Sequence, residues 1–531
     1  MQMFLSIAGA LGLFILGSRL IGEASRRFAD NRLRQTVKWA DRSIWGALLA
    51  GLAISVLLQS STATAILVIG LVNAGTISLV PAIAMILGAN VGTTITAQIL
   101  AFHPDPAALP LIAIGVGLLL FSQTQRWRDG GQIVTGAGIL LLGMEVMRTA
   151  LTSLSGIPEG VPFTGLLADP ILGFFVGALS SAALQNSAAV VAFLQVVSGQ
   201  HLLGITQMLP VLFGANLGST VAVLVVGAGV GVFGRRASLA HLLANLTGLA
   251  LFIVLRPVLQ PIVMLVSDPM RQVANAHTLY NLLAVLVLLP TVSGLVWLLT
   301  RLIPHPSEKD IIKQPLDKSL LDTPGIALQQ ATSQVVRMAG LARRSIAQAT
   351  NGFLNEDKQA VQDAMSAEED VNELDRQLRH YLADTGQQQL SDEQYRLHNL
   401  LMLATASIEK IGDHAQNIAE FAEHRLRLQL PFSDAACQEI NEINDAVLHI
   451  IDTMVAALEK RDANQARQVF RLESMLDQME EDMRSQHIER LIQGACHPQA
   501  AILFLDILGN YERMGDQAAR IADAITHVWA L

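Results

Sequence analysis

The sequence predicts an all-helical protein in two parts, a polytopic membrane unit of two inverted repeats and a soluble six-helix unit. The first observation is a change of charge: residues 1–304 have a net charge of +6, whereas residues 305–531 have a net charge of −15. The second is that the first part contains several apolar stretches of roughly the 20 residues that a spanning helix needs. The third is that each part repeats its own motifs at a constant spacing.

The first part contains a repeat with a shift of 126 residues. The segment Gln59–Ala63 (QSSTA) recurs as Gln185–Ala189 (QNSAA), and Gly88–Thr94 (GANVGTT) recurs as Gly214–Thr220 (GANLGST). Small residues at helix interfaces account for isolated glycines, but they do not account for two polar motifs with the same separation in both copies. The pattern therefore predicts two copies of one structural unit.

Basic residues in the loops predict that the copies are inverted. Residues 26–42 contain six Lys or Arg and the equivalent loop 152–168 contains none, whereas 102–110 contains none and its equivalent 228–236 contains two. Because basic loops stay in the cytoplasm, equivalent loops should lie on opposite faces of the membrane. The predicted repeats are about 3–123 and 129–256.

This orientation requires 44–72 and 169–199 to be re-entrant hairpins, broken at the two polar motifs. The same charge pattern predicts a multi-pass membrane protein with the N-terminus outside and the soluble unit in the cytoplasm. The remaining apolar stretches predict seven full spans, near 3–22, 79–101, 108–123, 131–149, 207–227, 238–256 and 276–300.

Broken helices at equivalent depths of inverted repeats indicate the substrate site of a transporter. Gln, Ser, Thr and Asn side chains supply neutral oxygens and hydroxyl donors, and the N–H groups at half-helix N-termini bind oxyanions. The unwound backbone carbonyls opposite suit Na⁺, which prefers oxygen ligands. Neither motif contains Lys or Arg, so the pattern favours a cation-coupled anion carrier. A phosphate-binding loop and a His-Glu-x-x-His zinc motif are both lacking, so ATP-driven pumping is disfavoured and no enzyme is predicted.

The soluble part, 326–531, follows a polar linker at 305–325 and shows helical periodicity throughout. It repeats with a shift of 103 residues: 409–420 matches 512–523. Each copy should be a three-helix bundle with this motif on its third helix. The six predicted helices lie near 326–354, 357–384, 392–425, 432–460, 463–493 and 498–528.

Each of these motifs places Glu and Asp four residues apart on one helical face, where two carboxylates repel. The usual reason to keep such a pair is a shared cation. A second acidic pattern, Asp370-x-x-Glu373-x-Asp375, matches Asp477-x-x-Glu480-x-Asp482 on the preceding helices; a solvated acidic face is the favoured interpretation there.

The doubled Gln-Ser-Ser-type motifs, each followed by Gly-Ala-Asn-x-Gly-[Thr/Ser]-Thr, resemble the sodium/phosphate cotransporter family in its bacterial branch. The resemblance implies Na⁺-coupled transport of inorganic phosphate between the two repeats. One departure is that the family pattern is Gln-Ser-Ser in both copies, whereas here the second copy has Asn186. The residues to which the resemblance assigns substrate or sodium binding are Gln59, Ser60, Ser61, Thr62, Asn90, Thr93, Thr94, Gln185, Asn186, Ser187, Asn216, Ser219 and Thr220.

The soluble part resembles PhoU, a helical regulator of phosphate uptake whose Glu-x-x-x-Asp motifs bind metal clusters, commonly iron. The resemblance implies that Glu409, Asp413, Glu512 and Asp516 bind iron or another divalent metal. The expected partners are phosphate, Na⁺ and the lipid bilayer, with no nucleic acid, and a homo-oligomer stays open. Two alternatives also stay open: a membrane phosphate sensor without transport, and a Na⁺-coupled carrier of another oxyanion.

Overall fold

In the computed structural model, the chain divides into two compact units, Met1–Pro306 and Ser307–Leu531. The structure describes residues 2–40, 43–73, 75, 77–102, 105–152, 169–304, 316, 318–322 and 324–529, without the side chains of 2–4, 28–38, 105, 319 and 322. Most of the predicted linker, and the loop at 153–168, lie outside these residues. Within them the backbone forms α-helices and two short 3-10 helices, without a strand. The predicted all-helical fold is confirmed.

The described residues of the first unit form twelve α-helices. These are α1 Gln2–Ala40, α2 Ile44–Leu58, α3 Ser61–Asn73, α4 Leu79–Leu100, α5 Ala108–Phe121, α6 Gln125–Thr152, α7 Pro170–Leu184, α8 Ser187–Gly199, α9 Ile205–Gly229, α10 Val232–Met264, α11 Pro269–Leu288 and α12 Val292–Leu302. Five of them, α1, α4, α6, α9 and α10, are long and apolar enough to cross a membrane.

Two of the seven predicted spans differ from the structure. The stretch 108–123 is the 14-residue helix α5, about 21 Å long and therefore shorter than a bilayer core of roughly 30 Å. The stretch 276–300 falls on α11 and α12, which are bent by 80°. The bend has a local cause, because Pro290 lies between them and has no N–H to continue the helix. Asp268 caps α11 and Pro269 follows it, so this helix begins earlier than predicted.

The polar motifs break two helical segments at equivalent places, as the sequence predicts. The first break separates α2 from α3 at Gln59, and the second separates α7 from α8 at Gln185. The first half-helix of each pair packs closely against the long helix that carries the Gly-Ala-Asn motif. A Cβ on Gly51 would lie 1.9 Å from Met85 O, and a Cβ on its counterpart Gly177 would lie 2.1 Å from Val211 O.

Helices α1 and α6 are aligned by the 126-residue repeat, and they contact each other through equivalent residues. A Cβ on Gly17 would lie 2.5 Å from Gly136 O, and a Cβ on Gly143 would lie 2.8 Å from Ala10 O. Since Gly17 and Ala10 correspond to Gly143 and Gly136, the two contacts exchange the repeats, which is the property of a two-fold axis. The helices are antiparallel at this crossing, so the axis lies across them, as inverted repeats require.

The second unit consists of two three-helix bundles, and its helix bounds agree with the predicted ones to within about three residues. The helices of each bundle pack against one another, and α15 also packs against α18. Thr350 hydrogen bonds to both Asn444 and Tyr511 and so links the bundles. The helices are α13 Pro324–Asn355, α14 Lys358–Gly386, α15 Asp392–Leu428, α16 Asp434–Lys460, α17 Ala463–Ile492 and α18 Pro498–Trp529.

Candidate functional site

Each broken helix ends in a glutamine whose backbone is left-handed. Gln59 has φ 54° and ψ 27°, and Gln185 has φ 51° and ψ 26°. This conformation costs a residue with a side chain roughly 1–2 kcal/mol. Strained backbone of this kind persists where the surrounding structure enforces it and clusters at functional sites. Other helices of this chain also end in a left-handed residue, for example at Gln429 and Arg461, as helices often do. The two breaks, here called the hairpin tips, are a candidate site because this ending recurs at equivalent positions inside two polar motifs.

The residue after each glutamine caps the second half-helix. Ser60 Oγ accepts a hydrogen bond from Ala63 N at 3.1 Å, and Asn186 Oδ1 accepts from Ala188 N at 3.0 Å and Ala189 N at 3.3 Å. Serine and asparagine are both favoured N-caps. The departure of the second motif from Gln-Ser-Ser therefore preserves the cap, and the Asn186 oxygen is hydrogen-bonded to backbone in this structure.

The first residues of α3 and α8 bring polar groups to the boundary between the repeats. Ser61, Thr62 and Ser187 are each only 5% exposed, and the first N–H groups of both half-helices lack carbonyl partners within the helix. Thr62 Oγ1 contacts Ser219 O, in the other repeat, at 3.5 Å. Ala188, the counterpart of Thr62, has no hydroxyl to form the equivalent contact. The caps already occupy Ala63 N at the first tip and Ala188 N and Ala189 N at the second. Among the described residues, the N–H groups left for an anion are therefore those of Ser61 and Thr62 at the first tip and that of Ser187 at the second.

The Gly-Ala-Asn motifs lie within α4 and α9 and use their hydroxyls identically. Thr93 Oγ1 donates to Asn90 O at 2.8 Å, and Ser219 Oγ donates to Asn216 O at 2.7 Å. A hydroxyl that donates its proton to backbone has only lone pairs left to offer, and hard cations prefer such oxygens. Thr94 and Thr220 donate to backbone in the same way. All six of these residues, Asn90, Thr93, Thr94, Asn216, Ser219 and Thr220, are buried.

Sequence reasoning missed two histidines that contact these motifs. His241 Nε2 lies 3.2 Å from Asn90 Oδ1, and His277 Nε2 lies 3.2 Å from Asn216 Oδ1. Both histidines are fully buried. A sequence signal exists, because Ala-His-x-Leu-x-Asn-Leu occurs at 240–246 and at 276–282. Its two copies are 36 residues apart, so they do not align under the 126-residue shift that relates the other motifs.

The two hairpin tips are held differently. Thr96 Oγ1 donates to Gln59 Oε1 at 2.8 Å, and Gln59 Nε2 donates to Val56 O at 2.8 Å. Under the 126-residue shift Thr96 corresponds to Ala222, which cannot donate a hydrogen bond from its side chain. Gln185 is exposed, whereas Gln59 is partly buried. Among the described residues, the first tip is therefore hydrogen-bonded to α4 through Gln59, and no corresponding hydrogen bond holds the Gln185 side chain.

In the soluble unit, the first Glu-x-x-x-Asp pair lies in a group of carboxylates. Burial raises the pKa of Glu409, and the nearby charges of Asp413 and Asp375 raise it further. Burial also raises the pKa values of Asp413 and Glu368, and Asp413 adds to the shift of Glu368. Such mutual destabilisation of negative charge is relieved either by a proton or by a bound cation.

The second pair lies in an equivalent group on α17 and α18. Burial raises the pKa of Glu512, and the charges of Asp516 and Asp477 contribute. The pKa values of Glu473 and Asp477 are raised by burial, with contributions from neighbouring carboxylates that include Asp516 in both cases. Both copies of the motif therefore create the same local excess of negative charge.

The structure corrects the alignment of the second acidic pattern. The sequence aligned 370–375 with 477–482, a shift of 107, whereas Glu368 and Glu473 occupy the equivalent positions beside the two pairs, a shift of 105. Glu368, outside the predicted pattern, and Asp375, within it, are buried. Asp477 and Asp482 are exposed, so a solvated face describes only part of the pattern. The corrected shift also aligns two ion pairs within α14 and α17, Asp375–Arg379 and Glu480–Arg484.

Among the described residues, no group of three or more His, Cys, Asp or Glu side chains is arranged to hold a metal ion. The donor chemistry suits a cation, but the four predicted ligands do not form a finished coordination site. The glycines before each Asp have a packing reason: a Cβ on Gly412 would lie 3.1 Å from Val371 Cγ1, and one on Gly515 would lie 2.6 Å from Leu476 Cδ2. The helices therefore pack closely at both glycines, against side chains and not against backbone.

Comparison with protein families agrees with this architecture. The Na+/Pi-cotransporter model matches residues 13–149 and 139–288, which together cover more than half of the chain. The chain belongs to this family. The double match has the two-fold repetition seen in the helices. The PhoU domain model matches twice in the second unit, at 335–422 and 440–525.

One relative matches this family member over nearly its whole length, and others match one part of it. The Escherichia coli (strain K12) protein YjbB, named "Putative inorganic phosphate export protein", is 26% identical over 99% of this chain and 98% of its own length. YqeW of Bacillus subtilis (strain 168) is 25% identical over 57% of this chain and 99% of its own. The crystal structure of PhoU from Pseudomonas aeruginosa covers 38% of this chain and 97% of its own, with 19% identity and a TM-score of 0.37.

Proposed function

We propose that the protein is a sodium-coupled transporter of inorganic phosphate in the bacterial cytoplasmic membrane, with a soluble regulatory unit. The supporting observation is the pair of capped half-helix N-termini beside buried hydroxyls that have only lone pairs to offer. The N–H groups suit an oxyanion and the hydroxyl oxygens suit Na⁺. A site for both ions between two repeats is what coupled transport requires, since binding of each ion then favours binding of the other.

The unequal hairpin tips support alternating access. Gln59 and Gln185 have nearly the same backbone conformation, but Thr96 hydrogen bonds to Gln59 and its counterpart Ala222 cannot do the same for Gln185, so the two tips should open with different ease. In carriers with inverted repeats, one repeat or bundle moves against the other around a fixed site. The direction of net transport then depends on the gradients, which accommodates both a cotransporter family and a relative named for export.

The experiment that tests the proposal is labelled phosphate uptake into liposomes containing the purified protein, with an inward Na⁺ gradient or an inward K⁺ gradient. We expect uptake only with Na⁺, competed by arsenate and not by sulfate. Gln59→Ala and Gln185→Ala should abolish uptake while leaving membrane insertion intact. Equal competition by sulfate would favour a carrier of another oxyanion. An absence of flux from folded protein would overturn the proposal and favour a sensor.

For the soluble unit, we infer that the two carboxylate groups bind divalent cations through Glu409, Asp413, Glu512 and Asp516. The support is the raised pKa values, which show negative charge without enough compensation. Glu409→Ala combined with Glu512→Ala should remove tightly bound metal from the purified protein. Glu420→Ala, an exposed acid on the same helix, is the control that should retain it. Equal metal content in both variants would contradict the assignment.

A further inference from the structure

The two buried histidines form equivalent contacts with the asparagines of the two repeats. His241 on α10 contacts Asn90 on α4, and His277 on α11 contacts Asn216 on α9, both at 3.2 Å from Nε2 to Oδ1. Asn90 and Asn216 are related by the 126-residue shift. The two-fold relation of the unit therefore also exchanges α10 and α11, although their histidines are only 36 residues apart.

The chemistry of each contact determines which atom donates. An amide oxygen has no proton, so the histidine must donate from Nε2 and the asparagine oxygen must accept. The amide nitrogen, which only donates, is then the end of the asparagine left for other partners. Among the described residues, Asn216 Nδ2 is buried without a hydrogen-bond partner. A buried donor without a partner is costly, unless a ligand with acceptor oxygens supplies one.

The backbone that carries each histidine is held by an equivalent hydrogen bond, which acts on the histidine carbonyl and not on its ring. Asn245 Nδ2 donates to His241 O at 3.1 Å, and Asn281 Nδ2 donates to His277 O at 2.9 Å. The buried Tyr280 hydroxyl donates to Asn245 O and so joins α10 to α11. Neither histidine belongs to a hairpin motif. Helices α10 and α11 therefore contact the asparagines of the site from outside the two hairpins.

We propose that His241 and His277 are positioning residues that present the amide N–H groups of Asn90 and Asn216 to phosphate. The proposal rests on the proposed function and deepens it by assigning these two asparagines to the anion and not to Na⁺. Without its histidine, each amide is free to rotate and offer its oxygen to a cation instead. The histidines therefore set the affinity for phosphate while leaving the affinity for Na⁺ to the hydroxyls.

The test measures KM for phosphate and the half-saturating Na⁺ concentration in proteoliposomes. His277→Leu should raise KM for phosphate about tenfold, within the range for loss of one buried hydrogen-bond partner, and shift Na⁺ half-saturation by less than about twofold. His277→Gln, which keeps a neutral N–H donor, should restore most of the affinity. Equal changes in both parameters, or a change in kcat alone, would overturn the proposal.

A double-mutant cycle provides a matched control because the unit contains two pairs. His277→Leu and Asn216→Leu belong to one pair, so the double variant should have about the same KM as either single variant. His241→Leu and Asn216→Leu belong to different pairs, so their effects should multiply. Additivity within a pair would overturn the proposal, as would coupling across pairs. Asn216→Leu alone gives the phosphate effect if the histidine variants fail to fold.

Wild-type protein distinguishes failure of this inference from failure of the proposed function. If wild-type protein neither transports nor binds labelled phosphate, the proposed function fails and the role of the histidines fails with it. If wild-type protein transports phosphate and the leucine variants keep its KM, only the inference fails.

Discussion

The hydrogen bond between Thr96 and Gln59 should control how often the first hairpin tip opens. Thr96→Val preserves side-chain shape and removes one neutral hydrogen bond of 2.8 Å. Such a bond contributes about 0.5–1.5 kcal/mol net, which is about a 2- to 13-fold change in an opening equilibrium. The tip is already strained at Gln59, so loss of its partner should directly increase the open population.

The counterpart position provides the reverse experiment. Ala222→Thr places a hydroxyl where the 126-residue shift would put it opposite Gln185, and should close the second tip by a comparable factor. Hydrogen exchange measured by mass spectrometry reports both equilibria. Amide exchange at 60–64 should rise in Thr96→Val, and exchange at 186–190 should fall in Ala222→Thr. Equal changes at both tips in either variant, or none, would refute the reasoning.

Three further predictions follow from the packing and charge of the two units. Asn186→Ser keeps the N-cap and should retain both phosphate transport and its sodium dependence. Asn186→Ala should destabilise α8 by about 0.5–2 kcal/mol, as measured by thermal unfolding. A changed sodium Hill coefficient in the serine variant would contradict the cap assignment. Gly88→Ala should prevent folding or separate α2 from α4, because its Cβ would lie 1.9 Å from Leu48 O. Gly117→Ala is the control: its Cβ would meet open space, so its expression and size-exclusion profile should match those of the wild type. Burial raises the folded-state pKa of Glu409. The stability that its protonation contributes is therefore present below the unfolded-state pKa and is lost as pH rises through the folded-state pKa. Without divalent metal, the soluble unit should melt at a lower temperature at pH 7 than near pH 5, and a melting temperature that does not change with pH would contradict the raised pKa.

The sequence was informative where one motif recurs in one register. The 126-residue shift located both helix breaks, because the same backbone strain is needed at Gln59 and Gln185. The bounds of the six soluble helices were also predictable, since their apolar periodicity and cap residues are local signals. Ser433 and Asp462, for example, cap α16 and α17 where the predicted helices begin.

The sequence was less informative where distant segments meet. His241 and His277 are 36 residues apart, and not 126, because the two-fold axis relates α10 to α11 in space although the sequence repeat does not align these two helices. The predicted alignment of the second acidic pattern was wrong by two residues. It matched acidic residues by their spacing alone and did not take into account which helix face packs against Gly412 and Gly515. Pro290 is a local signal for the bend, but the apolar composition of 276–300 led to the prediction of one continuous span.

Asn186 shows a third kind of difference. By sequence it replaces a hydroxyl with an amide in a motif predicted to bind sodium, which changes the expected number of oxygen ligands. In the structure its oxygen accepts from two backbone N–H groups. Only the local geometry of the cap reveals that serine and asparagine perform the same structural task at this position.

The measurement that tests the central claim most directly is the zero-flux point of phosphate in proteoliposomes. Phosphate would be loaded at a series of ratios across the membrane, with a Na⁺ gradient of fixed size and a clamped membrane potential. If Na⁺ and phosphate share one coupled site between the repeats, the ratio at which net phosphate flux vanishes should move with the Na⁺ gradient and reverse when that gradient is reversed. Zero flux at equal phosphate concentrations, whatever the Na⁺ gradient, would contradict a sodium-coupled carrier.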